Sequence, residues 1–182
     1  MRYFQKIIGE RLYLSPMNPD DAALYTKWIN DREVTRWMAL HASVISLPQE
    51  RQFLEGCVGG GDGHHFTIVL RDGDRPIGSV CLLGLNPVDR TAELGIFIGE
   101  TEYYAKGYGA EAIRLLLDFG FHTLGLHNIV LHTSADNARA IACYKKCGFR
   151  ECGRRRESLF RDGHLVDCVS MDILDREFMQ QY

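Results

Sequence analysis

The sequence predicts a mixed α/β fold of the α+β kind, with a mostly antiparallel central sheet flanked by helices. Three observations predict it. The stretch HHFTIVLRDGDRPIGSVCLLGLNPVDRTAELGIFIGE carries three β-rich runs, separated by DGDRP and by the tetrapeptide Pro87–Arg90, in the pattern of a meander. A helical pattern, AEAIRLLLDFGFHTL, then separates TAELGIFIG from the β-branched run HNIVLHTS, so those two strands can run parallel. A glycine-punctuated loop, EYYAKGYG, joins the meander to that helix. If the two parallel strands splay apart, a cleft opens between them and a helix N-terminus points into it.

The elements follow in order. ERLYLSP (10–16) alternates apolar and polar residues and reads as a first short strand. Asn18 caps a helix with Pro19 at its first position, and Asp20 and Asp21 meet the positive end of its dipole. That helix runs through Trp28 and stops near Asn30–Asp31. A weaker helix, PQERQFLEGCV, starts after Pro48, and GGGDG (59–63) ends it. Beyond the meander, Ala112, Ile113, Leu116, Leu117 and Gly120 fall on one face of the next helix. DNARAIACYKKCGF is a further helix with Gly148 at C′. Phe149–Glu151 and Leu165–Leu174 make a closing hairpin with RDG (161–163) at the turn. The order is β-α-α-β-β-β-α-β-α-β-β, with no internal repeat, linker or low-complexity segment, in one domain spanning residues 1–182.

Composition narrows the function classes. An apolar fraction of 46% and a charged fraction of 25% over 182 residues suit a globular chain with a sizeable core. The net charge of −3 argues against a general nucleic-acid binder, which carries a basic surface. No apolar run reaches membrane-spanning length, and MRYFQKIIGE lacks the apolar core of a secretion signal, so no membrane partner and a cytoplasmic setting are expected. None of the six cysteines forms a CxxC pair. Cys143 and Cys147 have a spacing that can hold a metal on a helix, but reduced thiols packed as small hydrophobes are the simpler reading. The pair His64–His65 has no ligand partner at a metal-site spacing, and no metal is expected.

The most informative stretch is Tyr104-Ala105-Lys106-Gly107-Tyr108-Gly109-Ala110. Glycine accepts positive φ and lets a ligand approach the backbone. The first amides of a helix lack intrahelical acceptors, and the dipole adds partial positive charge, so a strand-to-helix turn of this kind suits a pyrophosphate. Lys106 can add a charge-assisted contact. A tight structural turn explains the same glycines. The loop is neither a Walker A sequence, which would suit ATP, nor a good dinucleotide fingerprint, because the third glycine is missing.

Two further segments weigh in. Glu93 stands near the middle of the strand before the loop, and the helix that follows the next strand reads Asn137-Ala138-Arg139-Ala140-Ile141-Ala142-Cys143-Tyr144-Lys145-Lys146-Cys147-Gly148-Phe149. The pattern NxxAxxxYxxxGF, one strand after a GxG-opened helix, resembles the GNAT superfamily of N-acetyltransferases. Within it the chain looks like the branch holding the RimJ/RimL-type ribosomal-protein acetyltransferases and the spermidine acetyltransferases. RRRESLFRDGHLVDCVSM resembles that branch's final hairpin, and NDREVTRWM (30–38) its segment after the first helix. The likeness spans nearly the whole chain. It departs at Tyr104, where Gln or Arg is common, and at Ala140, where some members have Ser.

The resemblance implies a GNAT-like fold with a cleft between two splayed parallel strands, and acetyl-CoA as cosubstrate. Ile96, Phe97 and Ile98 would pair with the pantetheine amides as an added strand does. The amides of Lys106, Gly107, Gly109 and Ala110 would face the pyrophosphate, and the Asn137 amide the pantetheine arm, although Asn137 at a helix start can equally be only a cap. Glu93, on the strand lining the cleft, is the expected general base. A solvent-facing Glu on a half-exposed sheet is the other reading. Tyr144 is the expected acid for the departing thiolate, with a core Tyr as the alternative. Glu33, Trp37 and Glu157 are candidates for the acceptor side, and Trp28 and Tyr104 can wall it or be core. The acceptor would be a small-molecule or peptide amine: a protein N-terminus, a polyamine or another small amine. A non-catalytic acyl-CoA-binding module with the same fold is the competing reading. Members of this branch often dimerise, which implies a homodimer.

Overall fold

The computed structural model describes residues 2–59 and 63–180. Its strands are β1 (Ile7–Ile8), β2 (Leu12–Pro16), β3 (His64–Leu70), β4 (Arg75–Asn86), β5 (Thr91–Ile98), β6 (Asn128–Ser134), β7 (Arg150–Arg161) and β8 (His164–Leu174). They form one sheet in the order β1-β2-β3-β4-β5-β6-β8-β7. Every neighbouring pair is antiparallel except β5 and β6, which are parallel. The helices are α1 (Ala22–Ile29), α2 (Arg32–Thr35), α3 (Leu47–Val58), α4 (Tyr108–Asp118), α5 (Ala138–Lys146) and α6 (Asp175–Met179).

Alternation along the strands divides the apolar residues between two faces. Phe66, Ile68, Leu70, Val80, Leu82 and Leu94 point to one side, where they bury Ala112, Ile113, Leu116 and Leu117 of α4, the stripe expected from the helical period. Each fully buried Leu or Ile there contributes roughly 1.5–3 kcal/mol relative to exposure. On the opposite face Phe97 meets Tyr25 and Trp28 of α1, and the Tyr25 hydroxyl hydrogen-bonds Thr67 Oγ1 at 2.9 Å. Leu54 of α3 completes this second cluster.

Local chemistry sets the helix ends. Asn18 accepts from the Asp20 amide at 3.0 Å and opens a short 3-10 turn, Pro19–Asp21, that feeds α1. Ser46 and Gln49 form a capping box at the start of α3. Gly59 caps the far end of α3; the rest of the predicted GGGDG stop, residues 60–62, lies outside the described residues. Gly148, at φ +96°, ends α5.

The structure differs from expectation in its outer parts. β1, α2 and α6 were not anticipated, because each is shorter than the window over which periodicity is legible. β7 extends to Arg161, well beyond the predicted 149–151. It is an edge strand, exposed over most of its length and interrupted by register shifts, so its arginines and glutamates carry no alternating pattern.

Candidate active site

The parallel pairing of β5 with β6 covers Thr91–Glu93 against Asn128–Val130 and stops there. β5 runs on to Ile98 paired with β4 alone, so its edge toward β6 is without a strand partner from Leu94 onward. The two strands splay at Glu93. Ile96, Phe97 and Ile98 all lie on the splayed stretch.

The loop at the open end is held in an unusual backbone shape. Ala105 and Gly107 both have positive φ, +57° and +85°, and Gly107 is the N-cap of α4. The first intrahelical bond of α4 runs from the Glu111 amide to the Gly107 carbonyl at 3.0 Å, and no side chain caps the helix. The amides of Tyr108, Gly109 and Ala110 therefore have no acceptor among the described residues. A Cβ at position 109 would meet nothing within 4 Å, so that side of the first turn is open. Arg11 of the β1–β2 turn supports the loop from behind. Its Nη1 donates to the Lys106 carbonyl at 3.0 Å, its Nε bonds Glu111 at 2.8 Å, and its guanidinium lies 4.5 Å from the Tyr108 ring centroid. Lys106 leans over the Tyr103 ring at 5.9 Å.

Glu93 is exposed, and its side chain has no hydrogen bond or ion pair among the described residues. Burial pushes the neighbouring Cys81 thiol up to about 11, with Cys57 and Glu93 adding to the shift. Tyr144, on α5, is half-buried against Phe149, with ring centroids 6.0 Å apart, and its hydroxyl has no hydrogen-bond partner among the described residues. Burial, then Cys143 and Cys147, raise its pKa above the ordinary phenol value, so it keeps its proton at neutral pH. Asn137 is buried. Its Oδ1 accepts from the Ala140 amide at 3.3 Å and its Nδ2 donates to Thr133 Oγ1 at 3.4 Å, which is the capping role.

Tyr104 spans the opening. Its hydroxyl donates to the Ile98 carbonyl at 3.1 Å, and the Arg139 guanidinium of α5 lies 3.9 Å from its ring centroid. Burial raises the Tyr104 pKa, Arg139 opposes the shift, and Glu33 and Asp31 add to it. Trp37 is covered by Arg36, 4.9 Å from its ring centroid. Trp28 does not wall a pocket: it is wholly buried, with Nε1 donating to Glu100 at 2.9 Å. Glu157 sits at φ +48° in an irregular part of β7, its amide donating to Asp167 at 3.0 Å, and no described contact ties its side chain to the cleft.

The structure puts Glu93 where the two strands part, Ile96–Ile98 on the splayed stretch of β5 and Lys106–Ala110 in the loop and first turn of α4; Asn137 and Tyr144 lie on α5, and Glu33 lies on α2. Arg11 and Arg139 were missed. Nothing local marks Arg11, whose partners lie about a hundred residues away in sequence. Arg139 did leave a signal: it is a cation in the first turn of α5, where the helix dipole disfavours positive charge. Among the described residues no group of three or more His, Cys, Asp or Glu could hold a metal ion, and no helix is long and apolar enough to cross a membrane.

Comparison with known proteins agrees with this geometry. A family model described as an acetyltransferase (GNAT) domain matches residues 11–150. The chain is 32% identical to the putative ribosomal N-acetyltransferase YdaF of Bacillus subtilis, over 94% of this chain and 95% of that one. It is 36% identical to the spermidine N(1)-acetyltransferase of Vibrio cholerae over 58% of this chain and 60% of the relative. The crystal structure of a spermidine N-acetyltransferase from Vibrio cholerae in complex with CoA and spermine superposes with a TM-score of 0.84 at 26% identity, covering 94% of this chain and 99% of that one. With a splayed parallel pair, a glycine loop at its mouth and a family model matching most of its length, the chain belongs to the GNAT acetyltransferases and is an acetyl-CoA-dependent N-acetyltransferase.

Proposed function

We propose that the acceptor is a small cationic amine, attacked directly by its neutral nitrogen, with Glu93 as general base and Tyr144 as general acid. All 182 residues would form one catalytic domain. The observation that carries this reading is the break in β5–β6 pairing at Glu93, which leaves a carboxylate and an unpaired strand edge side by side. An aliphatic amine has a pKa near ~10.4, so only roughly one in a thousand is neutral at pH 7, and a carboxylate that takes the proton at the site raises the rate by ~10²–10⁴. Tyr144 keeps its proton and has an unpartnered hydroxyl that would pass that proton to the departing thiolate, leaving a phenolate that is reprotonated from water. The open amides of α4 suit the pyrophosphate of acetyl-CoA. Ile96–Ile98 would take its pantetheine arm, and Asn137 would add a contact only by loosening its cap.

Similarity to spermidine acetyltransferases favours a small polyamine over a protein N-terminus. Glu33, whose charge acts on Tyr104, supports a cationic acceptor, and Trp37 is the further candidate for the acceptor side, whereas Glu157 has no described contact with the cleft. A homodimer and a cytoplasmic setting belong to the same proposal, the latter supported by the six free cysteines. Sedimentation of the purified chain tests the dimer. The activity test is thiol release from acetyl-CoA across a panel of polyamines, monoamines and N-terminal peptides. Release with peptides alone would overturn the small-amine acceptor, and CoA binding without release for every amine would favour a non-catalytic module. Tyr144→Phe should lower kcat by ~10²-fold or more while the acetyl-CoA Kd stays within about twofold. Equal loss of both would remove the acid role.

A further inference from the structure

The two faces of the sheet carry different chemistry where β5 and β6 part. Ala92 and Leu94 of β5 point to the α4 side, against which Tyr144 also packs. Glu93, between them, points to the opposite side, as Phe97 does where it meets α1. Strand register carries that side across to β6. Glu93 is opposite Val130, and residues directly opposite in a sheet share a face. His132, two residues beyond Val130, therefore shares the face of Glu93. It is in register with Ser170 of β8, whereas the β5–β6 pairing ends at Val130. His132 thus stands on the splayed part of β6, about 7 Å along the strand from the last paired residue.

The His132 side chain is exposed, and its Nδ1 lies 2.9 Å from Ser170 Oγ. With the proton on Nδ1 and donated to Ser170, Nε2 keeps its lone pair. An imidazole oriented through one nitrogen and working through the other is a recurrent form of catalytic base. The gap is then flanked on one face by two proton acceptors, Glu93 from β5 and His132 from β6. Tyr144, the proton donor, is on the other face.

An alkylammonium that becomes an N-alkyl acetamide loses two protons from nitrogen. One leaves before attack, and one leaves the cationic nitrogen of the tetrahedral intermediate. A single carboxylate would have to empty to water between the two steps. We propose that His132 is a second catalytic base, which takes through Nε2 the proton lost after attack, while Glu93 takes the first. The C–N bond forms, the C–S bond breaks, and the thiolate takes the Tyr144 proton. Glu93 and His132 then pass their protons to water. One of these offsets the proton that Tyr144 regains, and the other is the net proton released. Ser170 is the positioning residue for the imidazole.

This inference rests on direct attack by an amine with Glu93 as base, and its test separates the two. Steady-state kinetics would be measured with the most active amine of the panel above for the wild type, His132→Ala, Ser170→Ala and Glu93→Gln, with and without added imidazole. His132→Ala should lower kcat by ~10²-fold, with the acetyl-CoA Kd within about twofold and the melting temperature unchanged, because the side chain is exposed. Imidazole should restore at least about tenfold of that loss in His132→Ala and none of the loss in Glu93→Gln. Ser170→Ala should lower kcat by less than His132→Ala does. A kcat within about twofold of wild type in His132→Ala, or a loss that imidazole does not relieve, would overturn the role of His132. Full activity in Glu93→Gln beside a rescued loss in His132→Ala would remove Glu93 as base and leave His132 standing. Thiol release with none of the amines would sink the amine reading and His132 with it.

Discussion

Glu93 is the last residue of β5 with a strand on both sides, and its neighbour Leu94 already borders the gap. A carboxylate at that position meets whatever enters between the strands. Glu93→Gln keeps the shape and removes the base, so kcat should fall by ~10²–10⁴ with little change in acetyl-CoA affinity, and the loss should shrink at high pH as free amine becomes plentiful. Rate measurements from pH 7 to 10 check this; a loss that does not depend on pH would mean Glu93 is no base. The same scale shows what single residues reveal in sequence. Glu93 stood out as an acid in an apolar run, and Tyr144 and Asn137 stood out through the family resemblance that their NxxAxxxYxxxGF pattern carries. His132 did not, because a polar residue in a half-exposed strand is ordinary, and only the pairing of β5 with β6 sets it on the face of Glu93.

The β5–α4 loop and α4 act as one element. Gly107 at φ +85° starts the helix without a side-chain cap, which leaves the first amides open, and Arg11 braces the turn. An alanine at 107 would be strained at that φ and would place Cβ 3.3 Å from Arg11 Nη2. Gly107→Ala should cost on the order of 1 kcal/mol in stability and raise the acetyl-CoA KM more than it lowers kcat at saturation. Calorimetric CoA binding and a melting curve read the two effects, and an unchanged CoA Kd would remove this turn from the cofactor site. The loop was legible because glycines two apart between a strand and a helix have a local cause. The length of β7 was not, since an edge strand exposed to water has no need to alternate.

Across the whole molecule, the β7–β8 hairpin returns to α2. Asp162 at the hairpin tip accepts from Arg32 at 3.0 Å and pairs with Arg36 at 2.9 Å. These contacts, that of Arg32 first, hold its carboxyl below the ordinary aspartate value. A lowered folded-state pKa means that the stabilising contribution is present above the unfolded value and is lost as pH falls through the folded one. Below about pH 4 hydrogen exchange at residues 161–163 and in α2 should therefore quicken before that of β3–β5. Asp162→Asn should give the same local loosening at neutral pH, and exchange that stays uniform on acidification would remove this link. The sequence by itself determined the meander, the crossover helix with its apolar stripe, the glycine loop and the Asn137–Tyr144 helix, because each rests on periodicity or spacing within a short window. Only the tertiary structure decided that β5 and β6 part at Glu93, that Arg139 reaches Tyr104, and that His132 shares a sheet face with Glu93. Those facts depend on contacts between residues far apart in the chain, and no local propensity encodes how two distant surfaces meet.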